Sequence, residues 1–177
     1  MASPAPALQI SREDRQIALL ASLAVAIHIL ESGIPSPVPG VKPGLANIIT
    51  LLVLFRFGWR YAAWVSGLRV LAGSLLIGTF MSPTFFLSLA GATASMLAIG
   101  VLWLLPKGWV GVYGISILAA VSHVCAQLVT AWLLFIPHSM ILGLLPVLIA
   151  AGIIFGIFNA IIVASIQKRL TEQPSPV

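Results

Sequence analysis

Residues 108–167 read GWVGVYGISILAAVSHVCAQLVTAWLLFIPHSMILGLLPVLIAAGIIFGIFNAIIVASIQ and contain no Asp, Glu, Lys or Arg. A helix that crosses a bilayer needs roughly 20 apolar residues. We therefore predict two membrane spans in this stretch, separated at Pro137-His138. Upstream, Lys107 is the only formal charge as far back as Val70, so that interval holds the end of one span and all of another.

The composition of the whole chain supports the same class of protein. Of 177 residues, 60% are hydrophobic and 7% are charged, and the mean hydropathy is +1.12. A soluble domain is charged at about 25% of its positions, and a disordered chain has low hydrophobicity. A transmembrane barrel would alternate apolar and polar residues, whereas the apolar runs here are continuous. We predict an all-α, polytopic membrane protein.

We predict six transmembrane helices in this chain. Their segments are Gln16–Gly33, Gly44–Phe57, Tyr61–Thr79, Phe85–Leu105, Val110–Phe135 and Met140–Gln167. The chain then divides into an N-terminal tail (1–15), a single transmembrane domain (16–167) and a C-terminal tail (168–177).

The distribution of Lys and Arg predicts the orientation in the cytoplasmic (inner) membrane. Cytoplasmic loops are enriched in these residues, and a cytoplasmic N-terminus leaves only Lys42 outside, with Arg69 inside a span. The cations then placed inside are Arg12, Arg15, Arg56, Arg60, Lys107, Lys168 and Arg169. Both tails are therefore predicted to be cytoplasmic. This topology accounts for the net charge of +5, so we predict no nucleic-acid partner.

The stretch Glu31–Gly44, ESGIPSPVPGVKPG, separates the first two segments. Its prolines favour an extended backbone. The apolar run that follows, Gly44–Phe57, is too short at about 1.5 Å per residue to cross a hydrocarbon core of roughly 30 Å. We predict a loop that dips into the bundle before a short helix, whose first N–H groups would be free to bind an anion beside Lys42. The alternative is an ordinary outside loop with a longer second helix.

Polar side chains within the spans are the candidate ligand-binding residues, because such groups are costly in a membrane and usually functional. They are Glu31, Lys42, Asn47, Arg69, His123 and Gln127. We expect the guanidinium of Arg69 to pair with Glu31, with a Glu31–Lys42 pair as the alternative. His123 and Gln127 have the alternative role of hydrogen bonding between helices. Asn159, Thr84 and the serines are assigned to packing.

Two further patterns concern partners and chemistry. Ala18, Ser22 and Ala26 form a stripe of small residues, which would let another helix approach closely, either within the bundle or from a partner protein. The chain has one Asp, Asp14, and contains no GxxxxGK[ST] or zinc-site motif. We predict no catalytic residues, no metal and no cofactor, and hence no enzyme activity of its own.

The run from Glu31 to Asn47 resembles the bacterial signature ExxIPxPxPGxKxGLAN. That signature belongs to the family of heptaprenyl diphosphate synthase component I, also called the Gx transporter family. Supporting matches are Arg69 with Gly78-Thr79-Phe80, Ser88-Leu89-Ala90-Gly91 with Ser95, and Ser122-His123 with Gln127.

This family is similar in turn to the S components of energy-coupling-factor transporters. The resemblance implies a six-helix protein that binds a small molecule and docks a coupling subunit with its ATPases through Ala18, Ser22 and Ala26. An anionic ligand is expected from Lys42 beside the start of the second helix, not from the resemblance. The family name implies an alternative, a non-catalytic membrane subunit that partners a prenyl diphosphate synthase in isoprenoid or quinone biosynthesis. A third hypothesis is a proton-coupled carrier acting alone through His28, Glu31 and Arg69. Membrane lipid is a partner in each case.

Overall fold

The computed structural model describes residues 11–33, 44–106 and 109–172. Within these residues the protein is entirely helical, and no strand is present. The helices are α1 (Arg12–Ser32), α2 (Ala46–Phe57), α3 (Trp59–Ile77), α4 (Pro83–Trp103), α5 (Val112–Leu134) and α6 (Leu145–Glu172), with a 3₁₀ helix at Ser139–Leu144. The predicted all-α class is confirmed. The predicted dipping loop, Lys42 and Lys107 lie outside the described residues.

Local sequence signals account for where several helices begin and end. Ser11 accepts a hydrogen bond from the Asp14 amide, and Asp14 accepts one from the Ser11 amide, so α1 begins four residues earlier than the predicted Gln16. Ser82 caps α4, whose first residue is Pro83. Gly58 joins α2 to α3 with φ 96°, a conformation that favours glycine.

The last predicted span, Met140–Gln167, consists of two elements rather than one. The chain forms the 3₁₀ helix up to Leu144 and becomes α-helical at Leu145. Pro146 explains the change, because its ring would clash with a carbonyl one turn earlier if an α-helix ran through it. Pro146 is tolerated in the first turn of α6, because an N–H group at that position would have no hydrogen-bond partner within the helix.

The short helix α2 lies at the centre of the bundle, in contact with α1, α3 and α6. Its 12 residues include seven that are buried, among them Leu51, Val53 and Leu54. A helix that is apolar on all sides is found in a protein core or as a membrane span, and here neighbouring helices bury most of its surface. The predicted short second segment is therefore the most enclosed helix, and its first turn lies inside the protein.

Four helical segments are long and apolar enough to cross a membrane: α1, α4, α5 and the segment Ser139–Glu172. Large apolar side chains cover their outer surfaces, for example Leu30 on α1, Leu97 on α4 and Ile154 on α6. A soluble protein rarely exposes such a surface. The membrane-protein class is supported by these four segments, and six spans stays a prediction.

Candidate functional site

A cavity of about 400 Å³ lies inside the bundle, and all six α-helices contribute to its wall. It is formed by the end of α1, the start of α2, the second half of α3 and the first half of α4, together with parts of α5 and α6. The chain termini belong to the opposite ends of α1 and α6. The cavity therefore lies toward the end of the bundle away from the termini.

The structure brings most of the predicted ligand-binding residues to this one cavity. Five of the six are described, and all five line the wall: Glu31, Asn47, Arg69, His123 and Gln127. Lys42, the sixth, lies outside the described residues. Their convergence is a result of tertiary structure, since they come from α1, α2, α3 and α5. Their role in binding stays a prediction.

Glu31 caps α2 from a different helix. Its carboxylate is 4% exposed and accepts hydrogen bonds from the backbone amides of Leu45, at 2.5 Å, and Ala46, at 3.3 Å. The first amides of a helix have no partner within that helix, and Leu45, the N-cap residue, provides no side-chain cap. A negative charge is also favourable at this end of the helix dipole.

The prediction that the N–H groups at the start of α2 are free is therefore wrong. Glu31 occupies the amides of Leu45 and Ala46. The Asn47 amide donates to the Gly44 carbonyl at 2.9 Å, and the Ile48 amide donates to the Leu45 carbonyl at 3.0 Å. The first turn of α2 consequently has no backbone donor left for an anion.

The expected direct pairing of Glu31 with Arg69 is also wrong. Both side chains are buried in the bundle, as predicted, but within the described residues the only salt bridge is Lys168–Glu172, at 3.8 Å. Arg69 instead donates from Nη1 to Oδ1 of Asn47, at 2.9 Å. The physical reason is competition, because the unpaired amides of α2 take the carboxylate and leave Arg69 to reach Asn47 in the same turn.

Asn159 is a cavity residue that the sequence analysis assigned to packing. Its side chain is 2% exposed, and Nδ2 donates to the Gly44 carbonyl at 3.4 Å. It lines the cavity from α6. An Asn in the middle of the apolar run was the available signal, since a buried amide needs hydrogen-bond partners.

Two glycines make room for two histidines at the cavity wall. A Cβ atom on Gly91 of α4 would lie 2.7 Å from the His123 ring, and one on Gly73 of α3 would lie 2.5 Å from the His28 ring. Nδ1 of His123 lies 3.3 Å from Oγ of Ser95, which itself donates to backbone carbonyls. His123 therefore both contacts a neighbouring helix and faces the cavity.

The predicted docking stripe, Ala18, Ser22 and Ala26, lies on the outer surface of α1, where all three residues are exposed. Ser22 donates a hydrogen bond to the Ala18 carbonyl of its own helix, at 2.9 Å. Within the described residues no helix packs over this face, so the alternative of packing within the bundle receives no support. Among the same residues, no group of three His, Cys, Asp or Glu side chains could hold a metal ion.

The fold and the site together define a helical bundle of membrane-protein character with a cavity lined by polar and charged side chains. The family described as heptaprenyl diphosphate synthase component I matches residues 20–166. The chain belongs to this family, and the matched range includes every described residue of the candidate site. Comparisons with curated proteins and with solved structures find no match.

Proposed function

We propose that this protein crosses the cytoplasmic membrane six times, with both termini in the cytoplasm, and binds a small molecule as the substrate-binding part of a transporter. The observation that carries the proposal is the cavity of about 400 Å³ with buried Glu31 and Arg69 in its wall. Ionisable groups at membrane depth usually mark a ligand path. With the termini in the cytoplasm, the cavity lies toward the outer side, where a substrate enters.

The enclosed position of α2 supports six spans although this helix is short. Its 12 residues extend about 18 Å, less than the roughly 30 Å of a hydrocarbon core. Because α1, α3 and α6 surround it, its buried first turn is shielded from lipid. Fusing reporters to each terminus tests the orientation, and activity of a periplasmic reporter at either one would contradict it.

Retention of small molecules by the purified protein tests binding directly. Detergent-solubilised protein is incubated with a metabolite extract, and bound compounds are identified by mass spectrometry. Ser88 on α4 lines the cavity, so Ser88→Trp should fill it and abolish retention. Leu97 on the same helix is 62% exposed, so Leu97→Trp is the matched control and should retain the wild-type set. Equal retention by both variants would refute binding in this cavity.

The exposed stripe on α1 is proposed to dock a coupling subunit of the energy-coupling-factor type, which carries the ATPases. Its small residues leave the helix backbone accessible to another helix. Ser22→Leu should abolish co-purification with such a subunit and leave ligand retention unchanged. Leu19→Ile, on the same exposed surface, is the control. Co-purification that survives Ser22→Leu would remove this stripe from the proposal.

A second candidate function is a non-catalytic membrane subunit that partners a prenyl diphosphate synthase. The family description favours it, because it names a component of such a synthase. The single Asp of the chain, Asp14, provides no aspartate-rich motif, so catalysis would belong to the partner. Purification from native membranes distinguishes the two candidate functions. The second function predicts that a soluble, aspartate-rich synthase co-purifies with the protein, and that Ser88→Trp does not reduce this co-purification.

A further inference from the structure

In the part of the chain that the structure describes, two residues that line the cavity each carry a buried polar atom without a hydrogen-bond partner, close to the first turn of α2. Glu31 accepts hydrogen bonds from the amides of Leu45 and Ala46, and Nη1 of Arg69 donates to Oδ1 of Asn47. Within the described residues, Nε of Arg69 and Oδ1 of Asn159 have no hydrogen-bond partner. Both residues line the cavity and are 5% and 2% exposed. An unsatisfied buried polar group is costly, so these atoms indicate what a ligand supplies.

Arg69 calls for an anionic acceptor. Its described hydrogen-bond partner is a neutral amide oxygen, while the nearest carboxylate, Glu31, is directed at the amides of α2. A guanidinium presents Nε and a terminal nitrogen as a planar pair of donors that matches a carboxylate. The negative charge of Glu31 in the same wall disfavours a doubly charged group. A carboxylate monoanion therefore fits this edge better than a phosphate ester.

Asn159 requires a ligand group that donates a hydrogen bond, close to the carboxylate of the ligand. Its Oδ1 is an acceptor only, and its Nδ2 already donates to the Gly44 carbonyl. Gly44 also accepts from the amide of Asn47, the residue that bonds Arg69. Arg69, through Asn47, and Asn159 are thus anchored to the same turn of the backbone, and both line the same cavity, so a compact molecule can reach both. Phe85 and Phe155 add an apolar part to the wall.

We infer that the cavity ligand is a small carboxylate that also carries an N–H or O–H donor on an apolar body, with the carboxylate on Arg69 and the donor on Asn159. The inference deepens the proposed binding function and rests on it. It also moves the anion from the start of α2, where the backbone donors are occupied, to the side chain of Arg69.

Matched probes test the two groups separately on the full chain in detergent, with binding measured by calorimetry. Replacing 3-phenylpropanoate by its neutral isostere 3-phenylpropanamide should weaken binding about tenfold or more, because a charge-assisted pair with Arg69 is lost. Adding a hydroxyl, as in 3-phenyllactate, should strengthen binding about fivefold over 3-phenylpropanoate. Arg69→Gln should remove the preference for the acid, and Asn159→Leu should remove only the preference for the hydroxyl.

The wild-type ratios decide the inference even where a variant fails to fold. Equal binding of acid and amide, or no binding of any of the three probes, overturns it. The proposed function fails separately, when wild-type protein and Ser88→Trp retain the same compounds from a metabolite extract. If wild-type protein retains only uncharged compounds and Ser88→Trp loses them, the proposed function stands. The inference that the ligand is a carboxylate is then refuted.

Discussion

The two halves of the bundle are stabilised in different ways. Among the described residues, the charged side chains of the cavity wall are Glu31 on α1 and Arg69 on α3, whose hydrogen bonds converge on the first turn of α2. In the described parts of α4–α6 no charged side chain is buried. The cavity thus has one charged wall and one neutral wall. A ligand can bind its carboxylate on the first wall and pack its apolar part against the second, where Asn159 accepts its donor group.

Close backbone approach characterises the neutral half. A Cβ atom on Gly156 of α6 would lie 2.8 Å from Cα of Ile117 on α5. Ser116 donates to the Gly156 carbonyl at 2.7 Å, and Ser95 of α4 donates to the Ala119 carbonyl of α5 at 3.0 Å. Small residues that allow such contacts are typical of membrane helix pairs. We therefore expect the loss of a buried hydrogen-bonding group to be most damaging in α1–α3, and the addition of side-chain volume to be most damaging in α4–α6.

The largest effect is expected at Glu31. Glu31→Ala leaves the part-buried amide of Leu45 and the buried amide of Ala46 without an acceptor, which should lower the free energy of unfolding by about 3 kcal/mol or more. Glu31→Gln keeps one acceptor oxygen and should lose roughly half as much. The exposed Glu13 on the same helix is the control, and Glu13→Ala should cost less than about 1 kcal/mol. Thermal unfolding in detergent measures all three, and equal losses at Glu31 and Glu13 would contradict the cap.

Steric fit in the neutral half is tested at Gly156. Gly156→Ala places a methyl group against the backbone of α5, which cannot rotate away, so we expect a loss of about 2–3 kcal/mol. Gly67 on α3 has open space around its Cβ position, and Gly67→Ala should be neutral or stabilising by up to about 1 kcal/mol. Urea unfolding in mixed micelles compares them. Similar values for both glycines would show that α5 and α6 separate easily.

A smaller effect is expected where the obstructing group is a side chain. Gly91→Ala should displace the His123 ring at a cost of about 1–2 kcal/mol and narrow the cavity. Adding His123→Ala to this variant should recover part of the loss, because the clash disappears. A thermal-unfolding double-mutant cycle measures the coupling, and strictly additive losses would mean that Gly91 does not accommodate this ring.

The smallest effect is expected for the exposed ion pair at the end of α6. Lys168 and Glu172 are 3.8 Å apart, with both side chains largely in solvent. Lys168→Ala should change the free energy of unfolding by less than about 0.5 kcal/mol. The value comes from the same unfolding assay, and a loss as large as that of Glu31→Ala would remove the distinction between buried and exposed charges.

Much of the helical framework follows from local pattern. The predicted Gly44–Phe57 and Phe85–Leu105 correspond to α2 and α4 within two residues at each end. Long apolar runs and their proline and glycine boundaries are properties of neighbouring residues, so they can be seen in one sequence. The short second segment also predicted that α2 differs from the other helices. The 3₁₀ helix before Leu145 was missed, although Pro146 indicated a change of helix type.

The sequence by itself determined the membrane-like helical class, the boundaries of α2–α5 to within two residues, and the polar side chains that require partners. Only the tertiary structure decided which partners they have: Glu31 with the amides of α2, Arg69 with Asn47, and Asn159 with the Gly44 carbonyl. Helical periodicity places residues on one face of a helix but does not say which helix lies opposite. Hydrogen bonds select among acceptors by distance and direction, and those are properties of the packed bundle.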